Sequence, residues 1–195
     1  MIVYVESNFM IELASVQSEH ESCHRLLQLA IDGRIELAIP AFSLVEPYQT
    51  LERRRRERQQ LQQALENQRV QITRARLYAT QSSLFSNVGD VLVSSSASDL
   101  GRMETIRAQI NSVGSVIAMD SVVLARGSEI QRELEVSPED AIVLASVIEH
   151  LTRRVPAEDC CFVTRNSRDF AQPKVQARLA AMGCKTLFTF EDALR

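Results

Sequence analysis

The stretch MIVYVESN, Met1–Asn8, places four apolar, β-prone residues, Ile2 to Val5, directly before Glu6, Ser7 and Asn8. So short and uniformly apolar a run reads as a strand buried on both faces, as at the centre of a parallel sheet. An acid at the carboxyl end of such a strand calls for something positive beside it. The partner has to come from elsewhere in the chain.

Outward from there, Ser18–Ile31 follows a polar gap and reads as a helix with Cys23, Leu26, Leu27 and Ala30 on one face, ended by Asp32-Gly33. Ile35–Ile39 (IELAI) is a second strand, stopped by Pro40, and Leu44, Tyr48 and Leu51 then recur at helical spacing. Glu52–Arg76 is polar and Arg-rich, with Leu61, Leu65 and Ile72 in helical phase, so it reads as one or two exposed helices. Residues 81–98 hold seven serines and a glycine and read as a loop. Helical phase resumes at Met103, Ile106, Ile110 and Val113, and again from Val122 to Ile130.

Ser137-Pro138-Glu139-Asp140 announces another helix, with an N-cap serine and proline at the first position. Cys160–Thr164 (CCFVT) is a third strand, Pro173–Met182 a helix closed by Gly183, and Thr186–Phe190 (TLFTF) a fourth strand. Strands alternating with helices predict a three-layer α/β/α fold on a mainly parallel sheet of four to five strands. Residues 52–115 form a long helical insertion in that pattern.

The chain has 195 residues, of which 45% are hydrophobic, enough for a substantial core. A formal net charge of −3 excludes a whole-molecule attraction to nucleic acid, so such binding requires a local basic patch. The basic residues are almost all arginine, Lys174 and Lys185 being the exceptions, and arginine suits bidentate contacts to carboxylate or phosphate. Cys23, Cys160, Cys161 and Cys184 show no CxxC spacing, which argues against a zinc ribbon or disulfide framework. Without a signal-peptide pattern or a long apolar run, the expectation is a soluble, cytoplasmic protein that does not enter the membrane.

In open α/β sheets, ligands sit beyond the carboxyl ends of the strands. Glu6 follows the first strand and Glu46 the second, Asp140 opens the helix before the third, and Asn166 and Asp169 follow the third in TRNSRDF. Carboxylates gathered there need a compensating charge, and Mg²⁺ or Mn²⁺ with oxygen ligands is the usual one. Each acid also has a structural reading: Asp140 and Glu46 stand three residues after Ser137 and Ser43, as in a capping box, Glu6 can end a strand in solvent, and Asp169 can pair with Arg165 or Arg168.

The set as a whole resembles the PIN-domain nucleases, in Glu6-Ser7-Asn8, Ser43-Leu44-Val45-Glu46, Pro138-Glu139-Asp140-Ala141 and Thr164-Arg165-Asn166-Ser167-Arg168-Asp169-Phe170. The likeness covers residues 1 to about 51 and about 116 to the C-terminus and implies a single PIN-like domain, 1–195. It implies a metal-dependent endoribonuclease that binds one or two Mg²⁺ or Mn²⁺ ions through Glu6, Glu46, Asp140, Asn166 and Asp169. Glu6, Glu46, Asp140 and Asp169 would be the catalytic acids, with Ser7, Asn8 and Thr164 hydrogen-bonded to ligands or phosphate. RNA, a second copy of the chain and an antitoxin-like protein inhibitor are the implied partners. The family's first acid is normally Asp. The extra methylene of Glu6 carries its carboxylate more than ~1 Å further out, against a tolerance of ~0.5 Å, which keeps open a PIN-fold RNA-binding or protein-interaction module with weakened catalysis.

Two further stretches draw notice. HESCH, His20–His24, matches the zincin HExxH pattern, but only 19 residues precede it and no third ligand follows at a known spacing, so it reads as a surface helix, with Ser18 and Glu21 as a capping box. From Glu52 to Arg76, eight arginines stand against three acids. Arg53, Arg54, Arg55, Arg56 and Arg58, with Arg165, are the candidate RNA contacts; a solvated face with i,i+4 ion pairs, or a partner surface, accounts for the run equally well.

Overall fold

The computed structural model describes residues 1–75, 77–78, 83–154 and 159–195. They group into two compact units, Met1–Pro47 with Met103–Arg195, and Tyr48–Arg102.

The first unit is built on one parallel sheet: β1 (Ile2–Val5), β2 (Glu36–Pro40), β3 (Ser115–Ile117), β4 (Cys160–Val163) and β5 (Cys184–Leu187), in the order β3-β2-β1-β4-β5. The opening strand is therefore central, and Ile2, Val3, Tyr4 and Val5 are all buried, as a strand covered on both faces requires. One face packs on α5 (Ser121–Leu134), α6 (Pro138–Arg153) and α8 (Pro173–Ala180). There Tyr4, Ala38 and Phe162 meet Ile130, Leu144, Val147 and Leu179. Phe162 also stacks edge-on against Phe170 at 5.0 Å, and truncating it to Ala would cost about 3–5 kcal/mol. The alternating residues Val3, Leu37, Ile39 and Cys161 face the other way and are equally buried. α2 (His20–Ile31) packs against β2 on that side.

Several expectations need correction. The polar gap after β1 contains α1 (Ser7–Ala14), buried at every position except Asn8; a helix buried nearly all round shows no amphipathic period to read. α2 starts at His20 with Glu19 as N-cap and no side-chain cap, because the Ser18 hydroxyl accepts a hydrogen bond from Arg165 instead. Ser43 lies inside a short 3-10 helix, Ala41–Leu44, and makes no cap for Glu46. β3, only three residues long, lies between stretches in helical phase and has no strand signal of its own. The last strand is Cys184–Leu187, earlier than expected: Gly183, at φ 75°, releases the chain from α8 in time for Cys184 to pair with Cys160, and Phe190 is buried against Phe9.

The second unit takes in most of α3 (Glu46–Arg74) and the first part of α4 (Ser83–Val113). The serine-rich stretch expected as a loop is helical from Ser83 onward, while residues 81 and 82 lie outside the described residues. Ser94, Ser95 and Ser96 donate their hydroxyls back to the carbonyls of Val91 and Leu92, so their competing donors are absorbed within the helix. Among the described residues, no helix is long and apolar enough to cross a membrane.

Candidate acidic site

β1 and β4 are neighbours at the point where successive connections run to opposite sides of the sheet, so their carboxyl ends open the crevice in which α/β proteins bind ligands. Glu6 leaves β1 there as the N-cap of α1 and is only 4% exposed. What meets its carboxylate is a set of hydrogen-bond donors, not a cation. Oε2 accepts from the Asn8 backbone N–H at 2.9 Å and lies 2.9 Å from Ser7 Oγ. Oε1 accepts from Asn8 Nδ2 at 2.6 Å and from Thr164 Oγ1 at 2.9 Å.

Ser7 ties this acid to the next. Its hydroxyl is also 2.7 Å from Glu46 Oε2, at the start of α3, yet it owns a single hydrogen. That hydrogen serves one carboxylate at a time, and Glu6 Oε2 keeps the Asn8 N–H when it turns to Glu46. Burial raises the Glu46 carboxyl above its ordinary range, against the Ser7 hydrogen bond, and the charges of Glu6 and Glu139 push it further. Burial also raises Glu6, opposed by its hydrogen bonds from Asn8, Ser7 and Thr164.

The network continues across β4. Thr164 Oγ1, fully buried, accepts the Asn166 N–H at 2.9 Å, and Asn166 Nδ2 donates to Asp140 Oδ1 at 3.0 Å. Asp140 sits in the first turn of α6, where Ser137 Oγ accepts its backbone N–H at 3.0 Å and donates to its Oδ2 at 2.8 Å, so the serine cap expected from sequence also holds the site acid. Burial pushes the Asp140 carboxyl up to about 6; Ser137 and Asn166 oppose this, and the charges of Asp169 and Glu46 add to it. Asn166 also caps α7 (Ser167–Phe170), accepting the Asp169 N–H at 3.3 Å.

A continuous hydrogen-bonded path therefore links Glu46, Ser7, Glu6, Thr164, Asn166 and Asp140, and Asp169 joins it electrostatically. Glu139, beside Asp140 in the first turn of α6 and not among the expected site residues, belongs to the same negative field. Its position next to Asp140 was the available signal.

The basic candidates lie otherwise. Arg165 turns away to Glu12 at 2.6 Å and Ser18 at 2.8 Å, securing a glutamate that is 3% exposed. Arg53, Arg54, Arg55, Arg56 and Arg58 are on α3 in the second unit. Arg55 and Arg56 pair with Glu52, Arg53 approaches Glu57, and Arg58 is held by Asp99 and Ser96.

Among the described residues, no group of three or more His, Cys, Asp or Glu side chains is arranged to hold a metal ion, and this includes the HESCH segment, where the His20 and His24 rings are 6.3 Å apart. The donor chemistry nonetheless suits a hard divalent cation. Glu46, Asp140 and Asp169 have no ion-pair partner among the described residues, and Ser43 Oγ, three residues before Glu46, is buried without a hydrogen bond. Glu6 fits least well as a ligand, since both of its oxygens are already engaged. No protein-family model matches the chain, and no curated protein is recognisably similar to it.

Proposed function

We propose that this acidic edge is the active site of a PIN-type, Mg²⁺- or Mn²⁺-dependent endoribonuclease. The observation that carries the reading is the gathering of Glu46 and Asp140, both with raised carboxyls, and of Asp169, whose charge acts on Asp140, with no arginine or lysine among the described residues to balance them, at the carboxyl edge beside β1 and β4. Glu46, Asp140 and Asp169 would hold the ion. Bound there, it supplies Lewis acidity toward a phosphodiester and an attacking water.

The chain's own groups set the geometry. Glu6 fixes Ser7, Asn8 and Thr164, and through Ser7 it orients Glu46. Asn166 and Ser137 each hold one oxygen of Asp140, so its carboxylate is aimed before any ligand arrives. RNA as substrate, a cytoplasmic setting and control by an antitoxin-like inhibitor belong to the same proposal.

The saturation of Glu6 favours one alternative, a PIN-fold RNA-binding module with weakened catalysis. The two readings separate in one experiment, in which the purified protein meets a pool of single-stranded and hairpin RNAs with Mn²⁺, Mg²⁺ or EDTA. The nuclease reading expects metal-dependent cutting that Asp140→Asn abolishes. RNA binding that is indifferent to EDTA, without cutting, supports the module.

A further inference from the structure

At the other end of the strands from the acidic edge lies a cavity of about 500 Å³, framed by Met1, Asp159 and Gly183, the residues just before β1, β4 and β5. Its volume falls within the range of small-molecule sites. The sheet opens it by leaving one face partly uncovered. Strand register sets Leu37, Val3, Cys161 and Lys185 side by side in one row across β2, β1, β4 and β5. α2 packs over the β2 end of that row. The first three residues are buried, as a covered face requires, but the row ends on an exposed lysine. Cys161 and Lys185 both line the cavity, and half-buried Leu29, Ile35, Leu187 and Leu194 give it apolar walls.

The charges around these walls do not cancel. Arg34, Lys185 and Arg195 line the cavity against Asp159 and Asp192. Arg195 is engaged by Glu191 at 2.8 Å and by Asp192 at 3.5 Å. The side chains of Arg34 and Lys185 meet no acid and no hydrogen-bond acceptor among the described residues, so two free cations face one acid, Asp159. Apolar walls concentrate such a field.

This combination selects a ligand by exclusion. A cation is repelled, a small and wholly polar anion leaves the leucines without a contact, and a neutral apolar molecule strips water from two cations and offers them nothing in return. We infer that the cavity binds a small carboxylate with an apolar body, its head group toward Arg34 and Lys185 and its body along Leu29, Ile35, Leu187 and Leu194. None of these residues belongs to the acidic edge, so the inference is independent of the nuclease reading.

Equilibrium dialysis of the full chain against radiolabelled octanoate tests it, with unlabelled acetate, octanol and octylamine as competitors that separate head group from body. One saturable octanoate site is expected, for which acetate and octanol compete at least about tenfold more weakly than unlabelled octanoate and octylamine does not compete. Arg34→Gln with Lys185→Gln, both at exposed positions, should together weaken octanoate at least about tenfold. Lys174→Gln, on α8 against the other face of the sheet, should bind octanoate as the wild type does, and circular dichroism should be unchanged in both proteins. The absence of a saturable site would overturn the inference. So would acetate, octanol or octylamine competing as well as octanoate, or an affinity indifferent to the paired substitution or equally sensitive to Lys174→Gln.

Discussion

Replacing Asp140 by Asn should make the metal-free protein more stable at neutral pH. In the folded chain the Asp140 carboxyl is pushed up to about 6 from its ordinary 3.8. A folded-state pKa above the unfolded one means that the native state binds the proton more tightly, so this contribution to stability is complete below the unfolded pKa and is lost as pH rises through about 6. The full shift would correspond to about 3 kcal/mol, and because the side chain keeps partial access to water we discount it to about 1–2 kcal/mol.

Asparagine is close in shape. Its oxygen can keep the hydrogen bond from Asn166 Nδ2, and its amide N–H can donate to Ser137 Oγ, so the substitution removes charge without orphaning a buried group. At about 2–4 °C per kcal/mol for a chain of this size, the expected rise is roughly 2–8 °C at pH 7. The assay is thermal and urea unfolding of both proteins in EDTA at pH 7 and pH 5. The wild type should gain stability on acidification and the variant gain less, so the gap should narrow at pH 5. An Asp140→Asn protein no more stable than wild type at pH 7, or a wild type that loses stability between pH 7 and 5, would refute the claim that the acids at this edge are uncompensated.

Glu6→Gln turns an amide N–H₂ toward donors that now meet a carboxylate oxygen; two lost charge-assisted bonds should cost about 2–4 kcal/mol, read as a lower urea midpoint, and a change under about 0.5 kcal/mol would contradict the role of Glu6 as hub. Arg165→Ala should destabilise by about 2–3 kcal/mol by leaving the buried Glu12 without its cation, yet change RNA affinity little in a filter-binding assay. Val16, exposed in the loop after α1, has φ 49°, a left-handed conformation costly for a β-branched residue; Val16→Asn should stabilise by about 1 kcal/mol in urea unfolding. Mn²⁺ should raise the wild-type melting temperature at pH 7 and leave that of Asp140→Asn nearly unmoved, and equal shifts would place the ion elsewhere.

The wholly apolar run Ile2–Val5, the stop at Pro40 and the proline-led cap at Ser137 were legible from the chain because each is a local preference that the packed protein also obeys. They were enough to determine a parallel α/β sheet and to put Glu6, Glu46, Asp140, Asn166 and Asp169 at one edge of it. What failed to show was whatever depends on surroundings. α1 had no amphipathic signature because it is buried nearly all round, β3 is too short to outvote its helical neighbours, and the serine run became helix by folding its hydroxyls onto its own carbonyls.

The site divides the same way. Residue types and their positions after strands are properties of the sequence, but how the acid at the end of β1 is satisfied is a property of the fold. Only tertiary structure brought Thr164, 158 positions away, against Glu6, and set Glu46 on the far side of Ser7's one hydrogen. A buried carboxylate is stabilised by whichever donors packing delivers, and the chain alone does not say whether those will be a cation or the hydroxyls and amides found here.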